Sequence, residues 1–200
     1  MKKSFLKSII GLIMIVLVLS CSSDSDSSTP CTPIACLNGG VSNSNCGCNC
    51  PAGYSGNNCS TQLTPTQILI SKVVISNFPA TKPNGTSWDF NPVNPINNNP
   101  DLYLVFINST QTYFNSVNNR FDDAIAGNQY TYNFTTPVII TSVNNLHNIT
   151  LYNYNTSGAD DEMGSVTFTP YSNTNNFPSI IIVTDNVNGF QAQFHVTYQW

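Results

Sequence analysis

Positive charge is scarce in this chain. Of its 200 residues only six are Lys or Arg, and Lys2, Lys3 and Lys7 all fall at the very start. Beyond them Lys72, Lys82 and Arg120 stand against ten acids, a net charge of −7. Three scattered cations cannot build the basic stripe that phosphates or anionic lipid heads require, which excludes nucleic acid as a partner. Histidine is equally scarce. His147 and His195 are the only two, both in segments that read as strands and neither in a motif supplying a nucleophile, a base and an orienting acid. There is no Gly-rich phosphate loop, no apolar run of the roughly 20 residues that cross a bilayer as a helix, and no helical period sustained over ten residues. With 8% charged residues, the polar surface must come from Asn, Ser and Thr, which are dense from Asn91 onward.

What is present begins with MKKSFLKSIIGLIMIVLVLSC, a basic start, an apolar run from Ile9 to Leu19 and a small residue before Cys21. This is the layout of a secretory signal. Val18-Leu19-Ser20-Cys21 resembles a bacterial lipobox, and the resemblance implies cleavage before Cys21 and diacylation of its thiol. The alternative is an ordinary cleaved signal. Cysteine parity favours lipidation, because seven cysteines less Cys21 leave six, a number that can pair completely. Ser22 to Pro30 contains no apolar residue, so it cannot offset its ordering entropy and reads as a flexible tether. The Ser/Asp run after the lipid cysteine is similar to the surface-export signals of Bacteroidetes-type lipoproteins. That implies an outer-membrane lipoprotein facing the cell exterior; the plainer reading is a spacer on a protein that faces the periplasm.

Six cysteines follow between Cys31 and Cys59, in a block too short to bury a core of its own, so covalent cross-links must hold it. Cys48-Asn-Cys50-Pro-Ala-Gly53-Tyr54-Ser-Gly56-Asn-Asn-Cys59 resembles the closing pattern of epidermal-growth-factor-like (EGF-like) domains, and Leu37-Asn38-Gly39-Gly40 is a second feature of that family. The resemblance implies the pairs Cys31–Cys46, Cys36–Cys48 and Cys50–Cys59, one of 15 connectivities open to six cysteines. Cys46 departs from the family by following Val41-Ser-Asn-Ser-Asn45 instead of closely trailing the glycines. Loops of this size contribute about 3 kcal/mol per bridge in the chain-entropy account. Cys46-Gly-Cys48-Asn-Cys50 also admits a zinc reading, but structural zinc prefers wider thiolate spacing and an exported protein oxidises such thiols. The acids that mark calcium-type EGF-like modules are missing before Cys31.

Residues 60–66 read as a polar linker. From there short β-branched and aromatic runs alternate with Asn/Gly/Pro turns. Strands are expected near Ile68–Ser76, Leu102–Ile107, Thr112–Val117, Tyr130–Phe134, Val138–Thr141, Asn148–Tyr152, Ser165–Thr169, Ser179–Thr184 and Phe190–Tyr198. Regularly spaced short strands argue for an antiparallel β-sandwich, and the alternation through Gln191–Tyr198 gives one buried face. His195, at an alternate position near Tyr198 and Trp200, reads as structural.

One loop carries chemistry. Asn153-Tyr-Asn155 is followed by Asp160-Asp161-Glu162-Met163-Gly164, and this pattern resembles the third loop of C-two domains, the calcium- and lipid-binding sandwiches of protein kinase C and synaptotagmin. Asp89 and Pro100-Asp101-Leu-Tyr103 are similar to that family's first calcium loop. The resemblance spans roughly 68–198. It implies an eight-stranded C-two-like sandwich with a calcium site at Asp89, Asp101, Asn153, Asn155 and Asp161. Two departures weaken the site: the first loop is lengthened by 91–99, and neutral amides stand at Asn153 and Asn155 where the family has carboxylates, so affinity falls on the order of 10⁻⁴ to 10⁻³ M. The bland alternative is that Asn153 and Asn155 serve turns in solvated loops. Asp122, Asp123 and Asp185 belong to neighbouring loops or to no site, and Asp160-Asp161-Glu162 could mimic a glycosidase pair only in outline.

The expected organisation is therefore a signal peptide over 1–20, a lipidated cysteine and tether over 21–30, an EGF-like module over 31–59, a linker over 60–66 and a C-two-like sandwich over 67–200. The function expected of it is binding or adhesion at the cell surface, with no catalysis, through an outer-membrane lipid anchor and a protein or glycan ligand. Rival readings are an accessory to a secreted hydrolase and a structural envelope component without a ligand.

Overall fold

The computed structural model describes residue 32 and residues 34–89 and 98–200. The leader, Cys21, the tether, Cys31 and most of the lengthened first loop lie outside the described residues. Among the described residues the chain is all-β, the one helical element being a 3₁₀ turn at Val117–Asn119.

The cysteine block forms two short hairpins: β1 (Val41–Ser42) with β2 (Cys48–Asn49), and β3 (Tyr54–Ser55) with β4 (Thr61–Gln62). Bridges join Cys36 to Cys48 and Cys50 to Cys59, and Cys46 is disulfide-bonded too. Gly40 is needed for space: a Cβ there would lie 2.6 Å from the Cys59 Sγ. Covalent bonds do here what burial cannot, since Cys59 is the only apolar side chain of the block that is fully buried among the described residues.

The rest is a sandwich of two four-stranded antiparallel sheets. One has the order β10 (Asp161–Phe168), β9 (His147–Asn153), β6 (Leu102–Asn108), β7 (Thr112–Asn115); the other has β11 (Ile180–Thr184), β12 (Gln191–Gln199), β5 (Gln67–Asn77), β8 (Tyr130–Ile140). Period-2 alternation makes the layers. Leu102, Leu104 and Phe106 of β6 and Ala192, Phe194 and Val196 of β12 point into the core, while Gln193 and His195 stay on the outer face. Phe106 lies at the centre, against Phe194 at 5.2 Å and Phe168 at 6.1 Å between ring centroids.

Four expectations are corrected. Tyr130–Phe134 and Val138–Thr141 are two halves of one strand, β8, whose residues between Asn133 and Val138 bulge opposite Ser71. Pro137 looks like a break in the sequence, but β8 is an edge strand and can spare one amide. The strand at Thr112 ends at Asn115 and not at Val117, because Ser116 Oγ accepts the Leu104 N–H (2.8 Å) and the Asn115 side chain accepts the Val117 N–H, turning the chain. The strand expected from Ser165 begins at Asp161, with a bulge between Glu162 and Gly164 that drops Met163 into the core at 1% exposure. Residues 60–66 are not a free linker, since Thr61–Gln62 is β4 and Thr66 N–H reaches Gln199 O at 2.8 Å.

Candidate functional site

The strand register puts all the described acids at one end of the sandwich. Leu102, Asn153 and Asp161 pair across the first sheet at that end, and the Asn77, Thr184 and Gln191 row closes the same end of the second. From these strand ends and the loops between them come Asp89, Asp101, Asp122, Asp123, Asp160, Asp161, Glu162 and Asp185. Lys82 and Arg120 are there as well.

Asn153 is the hub. It ends β9 with its side chain turned inward and fully buried. Its Oδ1 accepts the Asp101 N–H at 2.7 Å, and its Nδ2 donates to Asp89 Oδ1 at 2.8 Å. The Asn155 amide donates to Ala159 O (2.7 Å) and to Asp161 Oδ2 (3.2 Å). Asp161 is also held by Lys82 Nζ at 2.9 Å, and that ammonium lies 5.9 Å above the buried Trp88 ring. Asp160 caps the loop, accepting the Asn155 N–H (2.8 Å) and the Tyr103 hydroxyl (2.6 Å). Asp101 Oδ1 accepts the Asp123 N–H at 2.8 Å, and the Arg120 Nε lies 4.0 Å from Asp101 Oδ2 and 2.8 Å from Asp122 Oδ1. The Arg120 guanidinium rests on the Tyr154 ring at 4.2 Å.

Electrostatics divides these acids. Burial raises the Asp89 and Asp101 carboxyls above their ordinary value, against the lowering effect of the Asn153 amide on Asp89 and of the Asp123 N–H on Asp101. Asp161 is lowered, first by its hydrogen bond from Lys82. Burial would raise Asp185, but the Asn188 side chain and the N–H groups of Asn188, Val187 and Ser165 together outweigh it and the carboxyl is lowered. Both ions of the Lys82–Asp161 pair are about one-third exposed, so the pair contributes well under about 1 kcal/mol.

All five residues expected to hold calcium therefore meet in one hydrogen-bonded network. Their arrangement is that of a latch. Asn153 and Asn155 aim N–H groups at the carboxylates, and an ammonium already reaches Asp161. Turning the Asn153 oxygen toward Asp89 would break its bond from the Asp101 N–H. Among the described residues no three acids, histidines or cysteines lie close enough together to hold a metal ion. Asp122 and Asp123 join this end through Asp101, and Asp185 flanks it through Ser165. Sequence reasoning missed Lys82, Arg120 and Asp160 as members, although a lone lysine in a Pro/Asn/Gly turn beside a tryptophan was a usable signal.

The two histidines lie elsewhere. His147 is buried at the opposite end, its Nδ1 2.9 Å from Asn145 O and its Nε2 3.0 Å from the Tyr113 hydroxyl. His195 sits on the outer face of β12, paired across from Lys72. The opposite end also receives the cysteine module. Gln62 Nε2 donates to Ser172 O (2.9 Å) and Asn175 Oδ1 (3.1 Å), and its Oε1 accepts the Asn176 N–H (3.1 Å). Tyr54 meets the Phe177 ring edge-on at 5.4 Å, and Phe177 in turn touches Tyr198 and Trp200.

No family model matches the chain, and no curated protein does. Solved structures do. The chain is similar to human GIVD cytosolic phospholipase A2 in complex with methyl gamma-linolenyl fluorophosphonate, with 12% identity, a TM-score of 0.40, and coverage of 68% of this chain and 18% of that one. It is also similar to the first C-two domain of plant extended synaptotagmin 1, with 6% identity, a TM-score of 0.36, and coverage of 69% of this chain and 99% of that one. The chain thus spans less than a fifth of the phospholipase chain it matches.

Proposed function

We propose that this protein is an exported lipoprotein, anchored in the outer membrane through Cys21, that presents the acidic end of its sandwich as a binding or adhesive surface. In this reading the cysteine block is an EGF-like spacer and the sandwich a C-two-like interaction module. The observation that carries the reading is the placement of two features at opposite poles. The cysteine module, which follows the tether, is clamped by Gln62 and Phe177 at one end, and all eight described acids lie at the other. A lipid at Cys21 would then hold the clamped end toward the membrane and the acidic end away from it. Negative potential concentrated at one pole attracts cationic partners and speeds their encounter.

An epitope inserted after Gly158 tests the outward orientation. Gly158 has φ +93° and open space where a Cβ would stand, so the loop accepts insertion without disturbing the core. Antibody should bind this epitope on intact cells. Detection only after permeabilisation would overturn the surface reading.

Calcium is the second reading, favoured by the convergence of Asp89, Asp101, Asn153, Asn155 and Asp161. A hard divalent ion would compete with Lys82 for Asp161 and with the Asn153 amide for Asp89, which supports an affinity no better than the weak extracellular range, on the order of 10⁻⁴ to 10⁻³ M.

A further inference from the structure

The sandwich has a second concave surface, on its flank, running from mid-sheet at Phe114 toward the strand end where Phe121 bridges Leu102. Edge strands β7 and β8 face one another there, and between them opens a groove of about 490 Å³, inside the ~300–1,000 Å³ range of small-ligand sites. Its floor is aromatic. Phe114 packs on Phe134 with centroids 5.1 Å apart and Phe121 on Tyr132 at 4.8 Å, and the three phenylalanines remain only half-buried. The rim is amide. Asn119 and Asn133 are exposed, and among the described residues neither side chain has a protein hydrogen-bond partner.

The groove has no acid, lysine, arginine or histidine in its lining. Its one phenol, Tyr132, is buried, donates to Leu102 O at 3.0 Å and is pushed up to about 12 by burial. A ligand suited to this surface must be uncharged, because an anion would find no cation and a cation no carboxylate. It must have an apolar face to cover the phenylalanine rings. It must also carry hydroxyls, because each amide offers two donors and an acceptor that an aliphatic chain would leave without partners. A pyranose meets all three requirements, with a C–H face and a circuit of neutral hydroxyls.

We propose that the β7–β8 groove binds a neutral oligosaccharide. The groove adjoins the acidic end at Asn119 and Phe121 but shares no lining residue with the acidic network, so the proposal stands or falls independently of the orientation and calcium readings.

Calorimetric titration of the full-length chain, held in a detergent without a sugar head, tests this with cellotetraose, xylotetraose, mannotetraose and trigalacturonic acid. At least one neutral tetrasaccharide should bind with a Kd on the order of 1 mM or tighter, and trigalacturonic acid should not. Asn119→Ala and Asn133→Ala, both exposed and so without effect on the melting temperature, should each weaken binding about tenfold, the loss of one good polar contact. Absence of heat with every neutral tetrasaccharide at about 10 mM would overturn the proposal, since that concentration detects the weakest affinity expected. Equal binding by wild type and both variants, or binding of the acidic sugar alone, would overturn it too.

Discussion

Asn153 has no contact with solvent, so both ends of its amide must be satisfied within the protein, and they are, by the Asp101 N–H and the Asp89 carboxylate. Asn153→Ala should cost about 1–3 kcal/mol, because it orphans a donor and an acceptor together. The urea midpoint should fall at unchanged slope. Asn153→Asp sets a second carboxylate against Asp89. The repulsion is about 3–4 kcal/mol at 4–5 Å for an effective dielectric of 20, and an ion bound between the two would reverse it. On the calcium reading the metal restores the midpoint of Asn153→Asp and stabilises the wild type by about 1.4 kcal/mol at tenfold excess over Kd. If about 10 mM calcium shifts neither protein, far above the range expected for such sites, these acids are ordinary loop residues. His147 poses a pH question at the other end. Burial holds its pKa below the ordinary 6.5, so the unfolded chain takes up the proton more readily. Its contribution to stability is complete above about pH 6.5 and is lost as pH falls from there through the lowered folded value. His147→Gln should flatten the fall in melting temperature over that window, and identical slopes would contradict a buried neutral imidazole. Asp89 and Asp101, raised by burial, act in the opposite sense, losing stability as pH rises from 3.8 through their raised values.

At the scale of elements, the loop between β10 and β11 is the socket for the cysteine module. Asn176 and Phe177 both have positive φ, +53° and +52°, a costly backbone for a phenylalanine that persists only where its surroundings over-determine it. The surroundings are Tyr54, Tyr198 and Trp200 around its ring, and Gly53, where a Cβ would come within 2.6 Å of both Phe177 and Trp200. Gln62→Ala removes four hydrogen bonds to this loop, with Tyr171, Ser172, Asn175 and Asn176, and should lower stability by about 1–3 kcal/mol, with faster amide exchange at β3 and β4 but not at β6. Uniform exchange across both parts would mean that the clamp does not hold the module. None of this was legible in the sequence. Gln62 and Asn175 are 113 residues apart, and a glutamine among Thr, Ser and Pro reads as a spacer. The strands themselves were legible where apolar and aromatic residues run unbroken, as in Leu102–Phe106, or where alternation is strict, as in Ala192–Val196. They were misread where a bulge breaks the period, at Phe134–Pro137 and at Met163.

For the molecule as a whole, the loop from Asn153 to Asp161 could be picked out because its residues are close in sequence and fall on one strand-loop-strand. Its closure by Lys82 and Arg120 could not, since those side chains arrive from loops with no periodic or motif signal. The same chain thus carries a covalently stapled module at one pole and a charged, hydrogen-bonded crown at the other, and the lipid proposed at Cys21 would give that polarity a direction. Labelled palmitate supplied to cells producing the wild type or Cys21→Ala measures this most directly. The account predicts label in the wild type, none in Cys21→Ala, and loss of the substituted protein from the membrane fraction. Equal membrane association of the two proteins would contradict it.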